Sequence, residues 1–298
     1  MASVLVTGAS GFIGGYAAKA LAESGWGVVG TGRSEPDSNW LHRWIVADLL
    51  QPADVHKLVH EAGADVLLHL AWCDDTATRW HSLDNLAWAA ASLQLVKKFA
   101  EAGGRKVVFG SSCAVYDFSA RLMHAESDYL VPDTLYGAAK ASTASLIVAA
   151  QAAMRLCTVE ARIFFCFGAG ERSPRLVPDL IAGLSKGESV PCTNGLQKRD
   201  YLHASDVGRA LQLLVSNEVS GPVNVASGVS ISIAEIIKEI STQLGCPDLP
   251  NLGALKRSSN DPIDISADVA RLKSLGFQPA HTLSSGVAAT LAKYGNVR

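Results

Sequence analysis

A tyrosine and a lysine four residues apart, Tyr136 and Lys140, form the most chemically informative pair in this sequence. A spacing of four places both side chains on one face of a helix. A phenol is a weak acid and a weak base near neutral pH, and a neighbouring ammonium group stabilises its phenolate form. The pair therefore predicts proton transfer by Tyr136, with Lys140 supplying the positive charge.

A serine at the end of a predicted strand supplies a third polar group. The strand ends in Phe-Gly-Ser-Ser at positions 109–112, so Ser112 precedes Tyr136 by 24 residues. Ligands of open parallel sheets bind at the carboxyl ends of the strands, and Ser112 is expected to hydrogen-bond a substrate oxygen. The next residue, Cys113, is interpreted as a buried thiol that points away from the face used by Ser112, because side chains alternate along a strand.

Three glycines follow the first predicted strand and open the first predicted helix. Gly8 permits a tight turn, Gly11 lets backbone amides approach a pyrophosphate, and Gly14 lets the helix pack closely on the strand. The N-terminus of a helix also attracts phosphate charge. This loop, together with Phe12 and Ile13, therefore predicts a dinucleotide-binding site.

The end of the second predicted strand indicates which dinucleotide binds. A carboxylate about 20 residues after the glycine loop usually holds the ribose of NAD, whereas a nearby arginine accommodates the extra phosphate of NADP. This sequence has Arg33 and no acidic residue before Glu35 in that segment, which favours NADP and leaves NAD as the alternative. Asp48 and Leu49 are expected near the adenine, and Lys140 at the nicotinamide ribose. Arg33 could instead be a solvated turn residue.

Short apolar strands alternate with longer helices through the first half of the chain. The predicted strands are Ser3–Thr7, Gly27–Thr31, Trp44–Ala47, Asp65–Leu70, Lys106–Ser111 and Val159–Phe165. The predicted helices are Phe12–Ser24, Pro52–Ala62, Leu83–Ala102 and Tyr136–Met154. This alternation predicts an α/β fold with a Rossmann-type, doubly wound parallel sheet. We expect a dinucleotide-binding domain over residues 1–165 and a smaller, loop-rich substrate domain over 166–298, with return segments near 204–226.

The composition excludes several classes of partner. The 298 residues include 26 basic and 28 acidic side chains, a formal charge of −2, and 48% of them are hydrophobic. A protein that binds nucleic acid or a membrane surface usually has a concentrated basic patch, so neither partner is expected. No Cys-x-x-Cys pair and no metal-binding histidine spacing occur, so we expect no metal. Scattered cysteines and a start without a signal peptide predict a cytoplasmic protein.

Together these motifs resemble the extended short-chain dehydrogenase/reductase family, in its branch of sugar-nucleotide epimerases, dehydratases and reductases. The resemblance covers essentially the whole chain. It rests on the segments Thr7–Gly14, His69–Ala71, Ser111–Tyr116, Tyr136–Lys140, Ala161–Arg162, Arg199–His203 and Asn224–Ala226. It implies an NAD(P)-dependent enzyme that acts on a nucleotide sugar, with Ser112, Tyr136 and Lys140 as its catalytic residues.

The resemblance also implies which residues surround the cofactor. Leu70, Ala71 and Trp72 would line the cofactor cleft, and Asn85 would be a supporting helix residue near the cofactor. Trp72 stands where a small residue is frequent in the family. An unusual sugar pocket is therefore expected.

Two arginines are candidates for the substrate's diphosphate. Arg199 matches the arginine that binds a nucleotide-sugar diphosphate in the family, and Arg257 is a second candidate whose surroundings align loosely. A guanidinium group suits a diphosphate because it donates hydrogen bonds in pairs. A surface ion pair between Arg199 and Asp200 is the alternative.

The sequence departs from its relatives at the expected sugar site. Cys113 and Ala114 stand where the 4,6-dehydratase branch has Asp-Glu, which removes the usual acid and base for dehydration. Phe165 stands where many relatives have a substrate-binding asparagine. Asp74 and Asp75 could contact sugar hydroxyls or could lie in a solvated loop.

These observations favour a 4-keto sugar-nucleotide reductase that uses NADP. An NAD-dependent sugar-nucleotide 4-epimerase has the same residues and is the main alternative. A non-catalytic dinucleotide sensor is a rival from another class, and intact Ser112, Tyr136 and Lys140 argue against it. Reduction of a small aldehyde or ketone would leave Arg199 without a role. The long helices at 83–102 and 136–154 predict a homodimer through an isologous four-helix contact.

Overall fold

The computed structural model describes residues 2–73, 75, 78–119 and 123–294. In this part of the chain, seven parallel strands form the main sheet in the order β11-β7-β5-β4-β1-β2-β3. The strands of this sheet are β1 (Ser3–Thr7), β2 (Gly27–Gly32), β3 (Arg43–Val46), β4 (Val66–His69), β5 (Lys106–Ser112), β7 (Cys157–Ile163) and β11 (Gly221–Val225). The predicted doubly wound α/β class is confirmed.

Helices cover both faces of this sheet. They are α1 (Phe12–Glu23), α2 (Pro52–Ala62), α3 (Asp84–Glu101), α4 (Leu135–Met154) and α6 (Ala204–Ser216). Side chains of β1 alternate between two cores: Val4 and Val6 pack with α1 and α6, whereas Leu5 packs with α2, α3 and α4. Strands with both faces buried are continuously apolar, which explains why the sequence reads as short hydrophobic runs.

The second half of the chain builds smaller sheets around a third core. The remaining strands are β6 (Met123–His124), β8 (Phe165–Phe167), β9 (Val190–Cys192), β10 (Lys198–His203), β12 (Ser230–Ser232), β13 (Pro250–Leu252) and β14 (Asp264–Ala267). The remaining helices are α5 (Leu176–Ser185), α7 (Ile233–Gln243), α8 (Ala270–Ser274) and α9 (Leu283–Leu291). Apolar residues of α5, α7 and α9 pack together there. Because β11 pairs with β7, the chain returns to the main sheet after α6. The division at residues 165 and 166 stays a prediction.

The strand order creates a crevice beside β1. From β1 the chain proceeds to β2 and β3 on one side, and then crosses to β4 and β5 on the other. Thr7 and His69 are register partners where β1 and β4 end. In open α/β sheets, ligands bind at such a switch point, outside the carboxyl ends of the strands.

Candidate active site

A cleft of about 600 Å³ opens at this switch point. Its wall brings together loops that are far apart in sequence, from the glycine loop to α4. The predicted residues on the wall are Gly8, Gly11, Phe12, Ile13, Gly14, Arg33, Asp48, Leu49, Leu70, Ala71, Trp72, Ser112, Tyr136, Lys140 and Phe165.

The glycine loop at one end of the cleft is packed too tightly for side chains. Gly8 has a φ of +69°, and a Cβ on it would lie 2.9 Å from the backbone nitrogen of Ala71. A Cβ on Gly14 would lie 1.9 Å from the carbonyl oxygen of Gly8. The Gly11 amide donates to that same carbonyl at 2.9 Å, directly before α1 begins. A loop of bare backbone at a helix N-terminus fits the pyrophosphate of a dinucleotide.

A buried hydrogen-bond chain holds the loop after β4 against β1. The Thr7 hydroxyl oxygen accepts the backbone N–H groups of Leu70 and Ala71, each at 3.2 Å, so its own proton faces His69 Nδ1 at 2.7 Å. The other ring nitrogen of His69 lies 2.8 Å from the Ser92 hydroxyl, which donates to a main-chain carbonyl of α3. Burial, and then the charge of Lys140, lower the pKa of His69 to about 3, so the ring is neutral.

The loops after β2 and β3 form the opposite end of the wall. Arg33 is exposed there, directly after Gly32 ends β2. The amide of Asp48 donates to the carboxylate of Asp54 at 2.9 Å, and Asp48 itself caps the next turn by accepting from the Leu50 amide at 3.0 Å. This end of the wall fits the adenosine half of a dinucleotide and holds the predicted residues Arg33, Asp48 and Leu49.

Lys140 is buried beneath the cleft. Its Nζ donates to the carbonyl oxygen of Gly110 at 2.8 Å and lies 3.7 Å from the centroid of the Trp72 ring. Burial, and then the charge of Arg79, hold the pKa of Lys140 well below its usual value. Cation–π contact with Trp72 opposes this loss of the charged form.

Tyr136 and Ser112 meet at the same end of the cleft. Burial raises the pKa of the Tyr136 phenol above its usual value, while the charge of Arg79 and a hydrogen bond with the Ser112 side chain oppose this rise. The Ser112 hydroxyl also accepts the Ala114 amide at 3.2 Å. The ring of Trp80 packs edge-on against Tyr136, with centroids 5.4 Å apart. These contacts fix the phenol, which is the geometry that proton transfer requires.

Four charged residues on this wall were not predicted from the sequence: Arg79, Glu171, Arg172 and Arg175. The guanidinium of Arg79 lies 5.6 Å from the ring centroid of Tyr136. Arg79 therefore contributes electrostatic stabilisation that the sequence predicted from Lys140 alone. Burial raises the pKa of Glu171 to about 7, although the charges of Arg175 and Arg79 lower it. The only sequence signal for these residues is their place in loops that follow the carboxyl ends of β4 and β8.

Cys113 is buried, as predicted, but its predicted orientation is wrong. Both Ser112 and Cys113 line the cleft, because β5 ends at Ser112 and a 3₁₀ turn, Cys113–Val115, begins there. Strand alternation therefore does not extend to Cys113. Burial raises the pKa of its thiol to about 12, which keeps the sulfur protonated and a poor nucleophile.

Asn85 lies at the start of α3 and outside the residues that line the cleft. Its side chain is fully buried and donates to the carbonyl oxygens of Arg79 and Ser82 at 2.6 and 2.8 Å. It accepts the indole N–H of Trp72 at 2.9 Å. Asn85 thus orients the indole that covers Lys140, one layer behind the cleft wall.

The structure does not bring the two predicted diphosphate arginines to the cleft wall. Arg199 is only 6% exposed; it pairs with Asp261 and donates to the carbonyl of Pro262 at 2.9 Å. The alternative of an Arg199–Asp200 surface pair is wrong, because Asp200 is fully buried and accepts backbone amides instead. Arg257 lies in the segment between β13 and β14, also away from the wall. Asp74 lies outside the described residues.

The described residues contain neither a metal-binding cluster nor a membrane-spanning helix. No group of three or more histidine, cysteine or acidic side chains is placed there to hold a metal ion. Among the same residues, no helix combines the length and apolar character needed to cross a bilayer.

This chain is similar to one known protein family and to enzymes that act on nucleotide sugars. The model of the NAD dependent epimerase/dehydratase family matches residues 4–226. The dTDP-4-dehydro-6-deoxyglucose reductase of Escherichia coli is 24% identical over 306 residues, which cover 95% of each chain. The UDP-glucose 4-epimerase of Corynebacterium glutamicum is 26% identical over 311 residues, covering 94% of this chain and 91% of the relative.

A solved structure, MoeE5 in complex with UDP-glucose and NAD, superposes with a TM-score of 0.83 at 29% identity and covers 97% of both chains. The family match spans the glycine loop, Ser112 and the Tyr136–Lys140 pair, the residues that the fold gathers at one cleft. This chain therefore belongs to the NAD-dependent epimerase/dehydratase family, a branch of the extended short-chain dehydrogenase/reductases.

Proposed function

We propose that this enzyme is an NADP-dependent reductase of a 4-keto sugar nucleotide. The observation that carries the proposal is that Tyr136, Ser112 and Lys140 line the same cleft as the glycine loop, with the Tyr136 phenol beside Ser112. A hydride carrier bound along this cleft and a proton donor at its end are the two components that carbonyl reduction needs.

Each side chain has a distinct part in the proposed reaction. A nicotinamide cofactor, when bound, supplies the hydride for the keto carbon. Ser112 hydrogen-bonds the substrate oxygen, and Tyr136 donates its phenolic proton to that oxygen as the C–H bond forms. The charge of Arg79 would stabilise the phenolate left behind, and Lys140 would hold the nicotinamide ribose when the cofactor is bound. Solvent then returns a proton to Tyr136.

The choice of NADP rests on Arg33. It lies on the wall directly after β2, and the sequence there has no acidic residue before Glu35. A reductase must exchange its cofactor in every cycle and commonly uses the NADPH pool. A retained NAD instead suits an epimerase, which oxidises and re-reduces the same sugar. The similarity to a UDP-glucose 4-epimerase and to a structure that holds NAD keeps this second candidate.

One experiment separates the two candidates. The purified protein is denatured, and its supernatant is assayed for bound dinucleotide; native protein is then given NADPH and a 4-keto sugar nucleotide. A reductase releases little dinucleotide and consumes NADPH in equal amount to product. Tightly bound NAD, together with interconversion of two sugar nucleotides without added cofactor, would establish the epimerase.

The exposed side of α3 and α4 supports a homodimer. The two helices pack on each other, and Leu86 and Leu146 are 56% and 54% exposed on them. Isologous pairing of this helix pair would bury both leucines. Sedimentation at micromolar concentration is expected to show a dimer, and a monomer of about 31.3 kDa would contradict it. The six unpaired cysteines support a reducing, cytoplasmic location.

A further inference from the structure

Three arginines, Arg79, Arg172 and Arg175, line the catalytic end of the cleft, and the charges of Arg79 and Arg175 act on Tyr136. Arg79 and Arg175 come from different loops and both line the cleft. The guanidinium of Arg79 stacks 4.9 Å from the ring centroid of Trp80. Its Nε is buried and has no hydrogen-bond partner among the described residues. A buried donor without an acceptor is costly unless a ligand supplies one.

Neighbouring groups neutralise this pair only in part. The charge of Arg175 lowers the pKa of Arg79, so the two guanidinium groups are near enough to repel each other. Glu171 is the carboxylate that faces them, and burial raises its pKa to about 7, so it carries only part of a negative charge near neutral pH. One Glu171 oxygen is itself buried without a hydrogen-bond partner in the described part of the chain. An anion entering the cleft would relieve this imbalance.

The position of the pair indicates which part of the substrate carries the anion. Both arginine charges act on Tyr136, the group that transfers the proton. An anionic group held there lies on the reacting sugar, whereas a diphosphate belongs farther along the substrate. Guanidinium groups bind carboxylates through paired, charge-assisted hydrogen bonds.

We propose that Arg79 and Arg175 form a subsite for a carboxylate on the substrate's sugar, and that the substrate class is a nucleotide-linked hexuronate. The carboxylate of a hexuronate is attached to the carbon next to C4, so it lies beside the reacting centre. This inference rests on the proposed function, because it assumes that a nucleotide sugar occupies the cleft with C4 at Tyr136.

The test uses nucleotide sugars that differ only in the carboxylate. Calorimetric affinities are measured, with saturating NADP⁺, for the free diphosphates of uridine, guanosine, thymidine and cytidine and for the glucose and glucuronate conjugates of each. The variants are Arg79→Met, Arg175→Met and Arg79→Lys, with Arg105→Met as the matched control. Arg105 is exposed and pairs with Asp65. It directly precedes β5, so it lies at the amino end of the strand, opposite the cleft. Thermal unfolding checks that each variant is folded.

We expect the wild type to bind the glucuronate conjugate of its nucleotide more tightly than the glucose conjugate. Arg79→Met or Arg175→Met should weaken the glucuronate conjugate by about 10- to 100-fold and the glucose conjugate by less than about threefold. Arg79→Lys should lose less, because it keeps the charge without the planar fork. The Arg105→Met control should match the wild type.

Other outcomes overturn the proposal in distinguishable ways. If Arg79→Met weakens the free diphosphate, glucose and glucuronate conjugates equally, the pair binds the diphosphate. If glucose and glucuronate conjugates bind the wild type alike, the carboxylate subsite is wrong while the proposed function stands. If the wild type binds none of the diphosphates or conjugates, the proposed function fails and the subsite with it.

Discussion

The two ends of the cleft differ in the chemical groups that line them. At the dinucleotide end the wall is backbone: Gly8 and Gly14 exclude side chains, and the glycine loop lines the cleft directly before α1. At the catalytic end the wall is charge: Arg79, Glu171 and Lys140 are all largely removed from water, and the pKa of each is shifted by burial first. The first end depends on the shape of the chain and the second on electrostatics.

Each end of the cleft is sensitive to a different kind of change. A backbone cradle works through close approach, so it is sensitive to a single added carbon and insensitive to pH. Buried ionisable groups respond to pH and to the loss of a neighbouring charge, because desolvation makes each charge expensive. Substitutions at the two ends should therefore fail by different routes.

Removing the proton donor tests the catalytic end most severely. Tyr136→Phe should lower kcat by about 10²–10⁴-fold and leave dinucleotide affinity nearly unchanged, because only the oxygen that transfers the proton is lost. Steady-state kinetics and calorimetric cofactor binding measure the two effects. Tyr129→Phe is the matched control, since Tyr129 is 92% exposed. Retention of more than about a tenth of wild-type kcat would exclude Tyr136 as the acid.

The partly buried carboxylate of Glu171 should impose a pH dependence on stability. Its pKa rises from 4.5 to about 7 on folding, so the folded protein holds a proton that the unfolded chain releases, and stability falls as pH rises through this interval. Above pH 7, Glu171→Gln should stabilise the protein by up to about 3 kcal/mol, and near pH 4 the variant should match the wild type. Chemical denaturation at pH 4 and 8 measures this difference, with the exposed Glu188→Gln as control. Equal stability of Glu171→Gln and wild type at pH 8 would contradict the burial argument.

Adding one carbon should damage the dinucleotide end by shape alone. Gly14→Ala places a Cβ 1.9 Å from the Gly8 carbonyl oxygen, which should cost about 1–3 kcal/mol of stability and weaken cofactor binding at every pH. The adjacent Gly15→Ala is the control: its Cβ would lie 3.7 Å from the nearest oxygen, and alanine should stabilise α1 by about 0.5–1 kcal/mol. Similar cofactor affinity in both variants would show that the loop tolerates displacement.

Arg33 is the exception at the dinucleotide end, because it acts through charge. Arg33→Ala should weaken NADPH by about tenfold and leave NADH unchanged, since only the contact with the 2′-phosphate is lost. Fluorescence titration with the two reduced cofactors gives the ratio. An equal loss for NADH and NADPH would assign Arg33 to the shared part of the cofactor and remove the reason for preferring NADP.

The sequence predicted the residues that line the glycine-loop end of the cleft and some of those that line the Tyr136 end. Gly8, Gly11 and Gly14 act within one short segment, and their spacing carries the turn, the helix start and the close packing together. Tyr136 and Lys140 share one helix turn, so their proximity was also predictable. The prediction for Cys113 went wrong where β5 gives way to a 3₁₀ turn, because periodicity carries no information beyond the end of a strand.

The amino-acid order by itself thus determined the doubly wound sheet, the glycine loop and the Tyr136–Lys140 pair, because each depends on interactions within a few residues or on the periodic burial of apolar side chains. Only the tertiary structure decided which charges meet at Tyr136. Arg79 comes from the loop after β4 and Arg175 from the loop after β8, while Arg199 is drawn to Asp261 instead of the cleft wall. Contacts between distant loops depend on the order of the strands in the sheet, and no local sequence pattern encodes that order.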